Sequence, residues 1–276
     1  MLNISETTQY SRPILQVAGD FAGVHKSTAS RIVDKVSRAI AQLKPQYINM
    51  PESEEDIERT RIGFYEISRF PRCIGAIDCS HIKIQSPGGN DAELYRNRNG
   101  YFSINIQVVC DASLLIRNIV SRWPGSAHDS HIFRNSRLHA RLENGDFGDN
   151  LLLGDSGYAV KSYLITPLLN PVTPVERLFN EAQIRARNPV ERCFGVLKRR
   201  FPGLALGLRV NIAKTEAIIV AAAVLHNIAC NMRDRLPPNA DVNDFVDINV
   251  GDVHNVNHGH NDYVRQTLIQ YFRQLL

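Results

Sequence analysis

Residues 73–84 read Cys73-Ile74-Gly75-Ala76-Ile77-Asp78-Cys79-Ser80-His81-Ile82-Lys83-Ile84, a β-rich apolar run with one acid near its middle. Such a run is expected to form a strand. A carboxylate inside an apolar strand costs several kcal/mol unless a partner charge or a metal compensates it. Asp78 is therefore either a salt-bridged strand-end acid or a ligand.

Working downstream, Phe102, Ile104, Ile106, Val108 and Cys110 alternate with mostly polar residues. After the turn-like Asp111-Ala112-Ser113, residues 115–123 continue the β pattern. Three strands in close succession predict a meander. A helix is expected over 130–142, a short buried strand at Leu151–Leu153, another near 163–166, and helices over 176–187, 189–201 and 214–234. That order, three antiparallel strands and then helices alternating with short strands, predicts an α/β fold with an RNase H-like mixed sheet.

Working upstream, Pro51 and Pro71 bracket an acidic connector helix that Ser53 and Asp56 could start. Within residues 14–42, Ala22-Gly23-Val24 separates two helical stretches. The second carries Ala29, Ile32, Val33, Val36 and Ile40 at helical spacing, with Ser27 as N-cap. This is the layout of a small all-helical helix-turn-helix segment, with Lys26, Thr28, Ser30 and Arg31 facing a DNA groove, or else of an ordinary helical hairpin. The motif sits close to residue 1, so the segment is expected to belong to something longer. The expected division is 1–50 helix-turn-helix, 51–71 connector, 72–235 RNase H-like core and 236–276 a polar, mobile tail with a short final helix.

The 276 residues are 43% hydrophobic and 22% charged, which suits a globular protein and excludes fibrous or wholly disordered classes. Five scattered cysteines without a C-x-x-C pair argue against a disulfide framework or thiolate zinc, and fit a reducing intracellular compartment. The longest apolar run, residues 217–225, is too short to span a bilayer, so no membrane is expected. The net charge of +4 says little, but residues 181–209 carry seven Lys/Arg against two acids while 51–71 carry six acids against three Arg. Positive charge is thus gathered where a phosphate backbone could be held.

Asp155, in Gly154-Asp155-Ser156-Gly157-Tyr158, follows a buried strand between two glycines and reads equally as a turn former or a ligand. Glu191 lies in Asn188-Pro189-Val190-Glu191, which reads as a helix start with Asn188 as N-cap and Glu191 in a capping box. Yet Val190, Cys193, Phe194, Leu197 and Phe201 form the buried stripe of that helix, leaving Glu191, Gly195 and Lys198 on another flank. Two strand-end acids and a helix acid suit phosphodiester hydrolysis assisted by Mg²⁺ or Mn²⁺. A rival His/Asp metal cluster would use His81, His128 and His131. Arg185, Arg187, Arg192, Lys198, Arg199 and Arg200 are either a solvated helix face or a grip on DNA phosphates.

Over roughly residues 70–232 the chain resembles the Harbinger transposases and the nucleases derived from them. The resemblance rests on residues 75–82, on Pro124-Gly125-Ser126-Ala127-His128-Asp129-Ser130, on residues 154–158, on residues 186–201 and on Val224-Leu225-His226-Asn227-Ile228. It implies a DDE-type, divalent-metal-dependent DNA endonuclease with Asp78, Asp155 and Glu191 as the acidic triad, 35 residues separating the last two. It also implies Asp129 as a further metal-associated acid, although an Asp at that helix start also reads as an N-cap. It implies DNA as substrate, work in the nucleus, and a Myb-like DNA-binding partner protein; homo-oligomerisation and a cytoplasmic pool stay open. The alternative is a domesticated DNA-binding or scaffold protein whose acids persist without turnover.

Overall fold

The computed structural model describes residues 19–235 and 263–276. The expected polar tail and most of the first helix of the helix-turn-helix lie outside them. Five strands form one mixed sheet: β1 (Cys73–Lys83), β2 (Ser103–Cys110), β3 (Ile116–Pro124), β4 (Leu151–Leu153) and β5 (Leu164–Ile165), in the order β3-β2-β1-β4-β5. β1, β2 and β3 pair antiparallel, whereas β4 runs parallel to β1 and β5 parallel to β4. This is the expected RNase H-like arrangement. The parallel pairing sets the end of β4 beside the middle of β1, with Leu153 next to Ala76, two residues before Asp78.

Both faces of the sheet are covered, which is why β2 is buried along its whole length. On one face Ala76, Ile82, Ile104, Ile106 and Val108 pack with residues of α3 (Glu54–Ser68), α6 (Pro174–Arg200), α8 (Ile212–Asn231) and α9 (Tyr263–Arg273). On the other, Ile74, Ile77, Val109 and Leu152 pack with Phe133 of α4 (Asp129–Arg134) and Leu138 and Leu142 of α5 (Arg137–Glu143). The expected helix over 130–142 is thus two helices, because Ser136 leaves the first and caps the second through His139 N.

The stretch expected as a connector is a packed layer: Ser53 caps α3, whose Phe64 is fully buried. Beyond it, Phe70, Phe179 and Phe272 meet with ring centroids 5.7–6.0 Å apart, joining the end of α3 to α6 and α9. The 20-residue α8 is long and apolar enough to cross a membrane by length and composition, which apolar-run length alone did not reveal. Here it packs between β3 and α1 (Lys26–Ala41) and also meets the short α2 (Lys44–Tyr47), while the short α7 (Pro202–Leu206) packs on α6.

Local expectations fail in two further helices. The expected helices over 176–187 and 189–201 are one continuous α6, with Pro189 inside it. Its start is Thr173, which forms a reciprocal capping box with Glu176, so Asn188 is no N-cap and Glu191 no capping residue. Burial on both sides of the proline explains the continuity: Phe179, Ala182 and Ala186 before it, and Val190, Cys193 and Leu197 after it, face the same sheet. In α1, His25 rather than Ser27 is the N-cap. Of the expected apolar stripe only Ala29 is buried, while Ile32, Val33 and Val36 are 50%, 36% and 49% exposed.

Candidate active site

Asp78 lies on the α6 face of β1, where it shares parity with Ala76 and Ser80 and sits opposite Val108. Its Oδ1 accepts from the Cys79 backbone N at 2.7 Å, and its Oδ2 accepts from Arg187 at 3.0 Å. Burial, with repulsion from Asp155 and Asp129, pushes its carboxyl up to about 8 against the pull of Arg187. Asp155 follows β4, and its Oδ1 accepts from Gly157 N at 3.1 Å, so it is a turn former and a member of the acid group at once. Burial first, and then the Asp129 charge, raise its pKa, while Arg187 and Arg98 lower it.

The glycines flanking Asp155 serve packing and the turn. A Cβ on Gly154 would stand 2.9 Å from the Tyr158 ring, and one on Gly157 would stand 3.2 Å from Asp155 Oδ1.

Asp129 is the first residue of α4; the N-cap is His128, which makes no side-chain cap bond. The Asp129 carboxylate is instead held by Asn105 Nδ2 at 3.0 Å, and its backbone carbonyl by Gln107 Nε2 at 3.3 Å. Asn105 also donates to Ala127 O, and Gln107 to Tyr158 Oη. These polar residues of a buried strand fix the loop that delivers Asp129 and the turn that delivers Asp155. Read as the solvent-facing half of an alternating strand, they gave no sign of this role.

Glu191 joins the group through Arg187, four residues earlier on α6, whose guanidinium lies 2.5 Å from Glu191 Oε1 while bonding Asp78. Arg187, Asp78 and Glu191 are 16%, 15% and 25% exposed in their side chains. Three aspartates that repel one another and a glutamate tied to them by an arginine are hard-oxygen donors in need of positive charge, which fits Mg²⁺ or Mn²⁺ chemically. Among the described residues, no group of three His, Cys, Asp or Glu is arranged to hold a metal ion.

The other expected contacts divide. Lys198 is buried, and its Nζ donates to Ser80 Oγ at 2.8 Å beside the acids. Arg200 turns toward Asp234, Arg199 is half-buried, and Arg192 is exposed on α6. Lys26 and Arg31 are exposed and Thr28 half-buried. Their helix rests on α8, which packs on β3 at the sheet edge away from β4 and β5, and is not brought to the acids. The three histidines do not converge: His81 bonds Ser103 at 3.0 Å and His131 stacks edge-on against Trp123 at 4.8 Å.

Arg98 was missed. It sits at the exposed tip of a hairpin closed by the Arg96–Phe102 bridge and by Asn97 Oδ1, which accepts from Asn99 N and Tyr101 N. The hairpin is tied through Leu94 O to Ser126 N, in the segment leading to Asp129. A basic tip before a buried strand is the signal that could have found it. His226 and Asn227 are braces: His226 Nε2 donates to Leu114 O, and Asn227 bonds both the N and the O of Ile116.

The chain matches the family described as DDE superfamily endonuclease over residues 77–227. It is 34% identical over 214 residues to the human protein named "Putative nuclease HARBI1" and 35% identical to its Rattus norvegicus counterpart, in each case over 76% of this chain and 61% of the relative. It is 26% identical to "Protein ALP1-like" of Arabidopsis thaliana, over 80% of this chain and 58% of that protein. The chain therefore spans about three fifths of the length of the curated relatives it matches. No solved structure matches.

Proposed function

Because the chain belongs to the DDE superfamily endonuclease family, we propose that it is a divalent-metal-dependent nuclease that hydrolyses DNA phosphodiester bonds, with Asp78, Asp155 and Glu191 as the acidic triad and Asp129 as a supporting ligand. The observation that carries this reading is the gathering of Asp78, Asp129 and Asp155 where β4 ends beside the middle of β1, with burial and mutual repulsion pushing Asp78 up to about 8. A fold keeps such a costly group of like charges where a cation offsets it. Mg²⁺ or Mn²⁺ held by these carboxylates would supply Lewis-acid activation of water and neutralise charge on the leaving oxygen.

The remaining work falls to this chain's own residues. Asn105 and Gln107 orient the Asp129 segment, the Cys79 N–H fixes one Asp78 oxygen, and the α6 register presents Glu191 toward β1. Lys198, Arg192 and Arg199, with Arg98, whose charge reaches Asp155, supply positive charge for the DNA backbone. Contacts of that kind position DNA without reading its sequence. The nucleus is the proposed place of work, and a DNA-binding partner protein the proposed associate.

A second reading, a DNA-binding or scaffold protein without turnover, is favoured by one observation: Arg187 already satisfies Asp78 and Glu191 as an internal cation. Incubating supercoiled and linear DNA with the protein in Mg²⁺, Mn²⁺ or chelator separates the two. Metal-dependent cleavage that Asp155→Asn abolishes supports the nuclease; DNA binding with no cleavage under either metal supports the scaffold.

A further inference from the structure

We infer that Arg187 is a displaceable internal cation: its guanidinium holds Asp78 and Glu191 together and must leave them when a divalent ion binds, so that metal loading is an exchange of one cation for another. The inference rests on the metal-site reading above and deepens it.

The geometry is specific. Arg187 and Glu191 are four residues apart on α6 and so lie one above the other on the same helix face. One guanidinium nitrogen reaches Glu191 within the helix, and another crosses to Asp78 Oδ2 on β1 at 3.0 Å. The planar fork of arginine suits two such acceptors at once, and the group stays charged at any working pH. Only rotation of the side chain can remove it. All three side chains are largely buried, so the two acids cannot lose the guanidinium without a metal ion or protons taking its place.

The converse also holds. A divalent ion bound by Asp78 and Glu191 would sit within a few ångströms of the guanidinium they now share, and like charges at that range repel strongly in a largely buried site. A guanidinium and a divalent ion therefore compete for the same two carboxylates. Rotation out of the site leads toward solvent past Asn188, the next residue of α6, which is exposed.

The test is Mn²⁺ binding to the full chain, followed by calorimetry, with no DNA and no turnover involved. Arg187→Gln keeps an amide for Glu191 but removes the charge. If the exchange is real, it binds Mn²⁺ on the order of tenfold or more tightly than wild type, the factor that corresponds to one charge-assisted hydrogen bond. Binding by Arg187→Gln alone, with wild type showing none, supports it as well. Wild-type binding with equal or weaker affinity in Arg187→Gln overturns the exchange and leaves the metal site standing. Absence of Mn²⁺ binding in both proteins overturns the metal-site reading and the exchange together.

Should Arg187→Gln fail to fold, the wild-type side chain can be followed directly by nitrogen-detected NMR, with Arg187→Lys supplying the assignment. Addition of Mg²⁺ should turn its guanidinium signal from hindered to free rotation; an unchanged signal at saturating Mg²⁺ overturns the exchange.

Discussion

Lys198 of α6 donates to Ser80 of β1 over 2.8 Å, two residues beyond Asp78 on the same face of the strand and seven beyond Glu191 on the helix. This bond sets the register between the two elements that carry the first and last acids. Ser80→Ala is expected to destabilise the protein by about 1–3 kcal/mol, because it withdraws a partner from a buried ammonium. Lys198→Met, which keeps the stem and removes a positive charge beside the acids, should fold and bind Mn²⁺ at least as tightly as wild type. Urea unfolding and calorimetry read the two effects separately.

Asp155→Asn should lower Mg²⁺- or Mn²⁺-dependent DNA cleavage by about a thousandfold or more while leaving DNA binding and the fold in place, since the amide has nearly the same size but no charge. Asp78→Asn and Glu191→Gln should match it. Pairs of these substitutions should add little, because the residues act as one unit. Asp129→Asn should be milder. A folded Asp155→Asn protein that cuts at the wild-type rate would overturn the triad.

The crowding of the acids has a signature in pH. The Asp78 carboxyl, ordinarily near 3.8, is pushed up to about 8 by burial and by its neighbours Asp155 and Asp129. Between those values the folded protein keeps a proton that the unfolded chain has released, so metal-free stability declines as pH rises from the lower value through the higher one. Denaturation midpoints in chelator, measured between pH 4 and 9, should fall across this window. Asp78→Asn should flatten the slope, and Mn²⁺ should restore stability at the alkaline end, where the carboxylate is already ionised.

Pro189 cannot donate to the carbonyl four residues before it, so α6 lacks one internal bond next to Glu191. Pro189→Ala should restore that bond and raise stability by about 1 kcal/mol, the helix preference of alanine outweighing lost contacts of the buried ring. Thermal unfolding tests the sign.

Arg98→Glu should weaken binding to unrelated DNA sequences about equally and reduce the salt slope of affinity by about one unit, as expected for loss of a phosphate contact. Arg31→Glu, on a helix resting at the far edge of the sheet, tests whether α1 also meets DNA. A gel-shift series across salt concentrations distinguishes a local role for Arg98 from a distributed one.

The strands of the meander and the two short parallel strands were legible because burial on a sheet leaves a local record in the sequence. The continuity of α6 was not, since Asn188-Pro189 has the local chemistry of a helix start and only the sheet beneath both halves overrides it. The apolar residues of α1 show the opposite limit: helical spacing marks a face, but Ile32, Val33 and Val36 are exposed because α8 meets a different one. Asp78, Asp155 and Glu191 could be singled out by residue type and motif. The ties among them through Arg187, and the hold of Asn105 on Asp129, join residues far apart in the chain and have no local signal.

The aromatic triad of Phe70, Phe179 and Phe272 bears on how the molecule is made. Synthesis delivers Asp78 early, yet its partner Arg187 arrives 109 residues later, and the α9 helix that seats Phe272 against α6 comes later still. On the ribosome the acids must therefore wait, their charge facing water on an unfinished sheet. A nascent chain cut short before α9 would carry all four acids without the aromatic wedge that seats α6 over them.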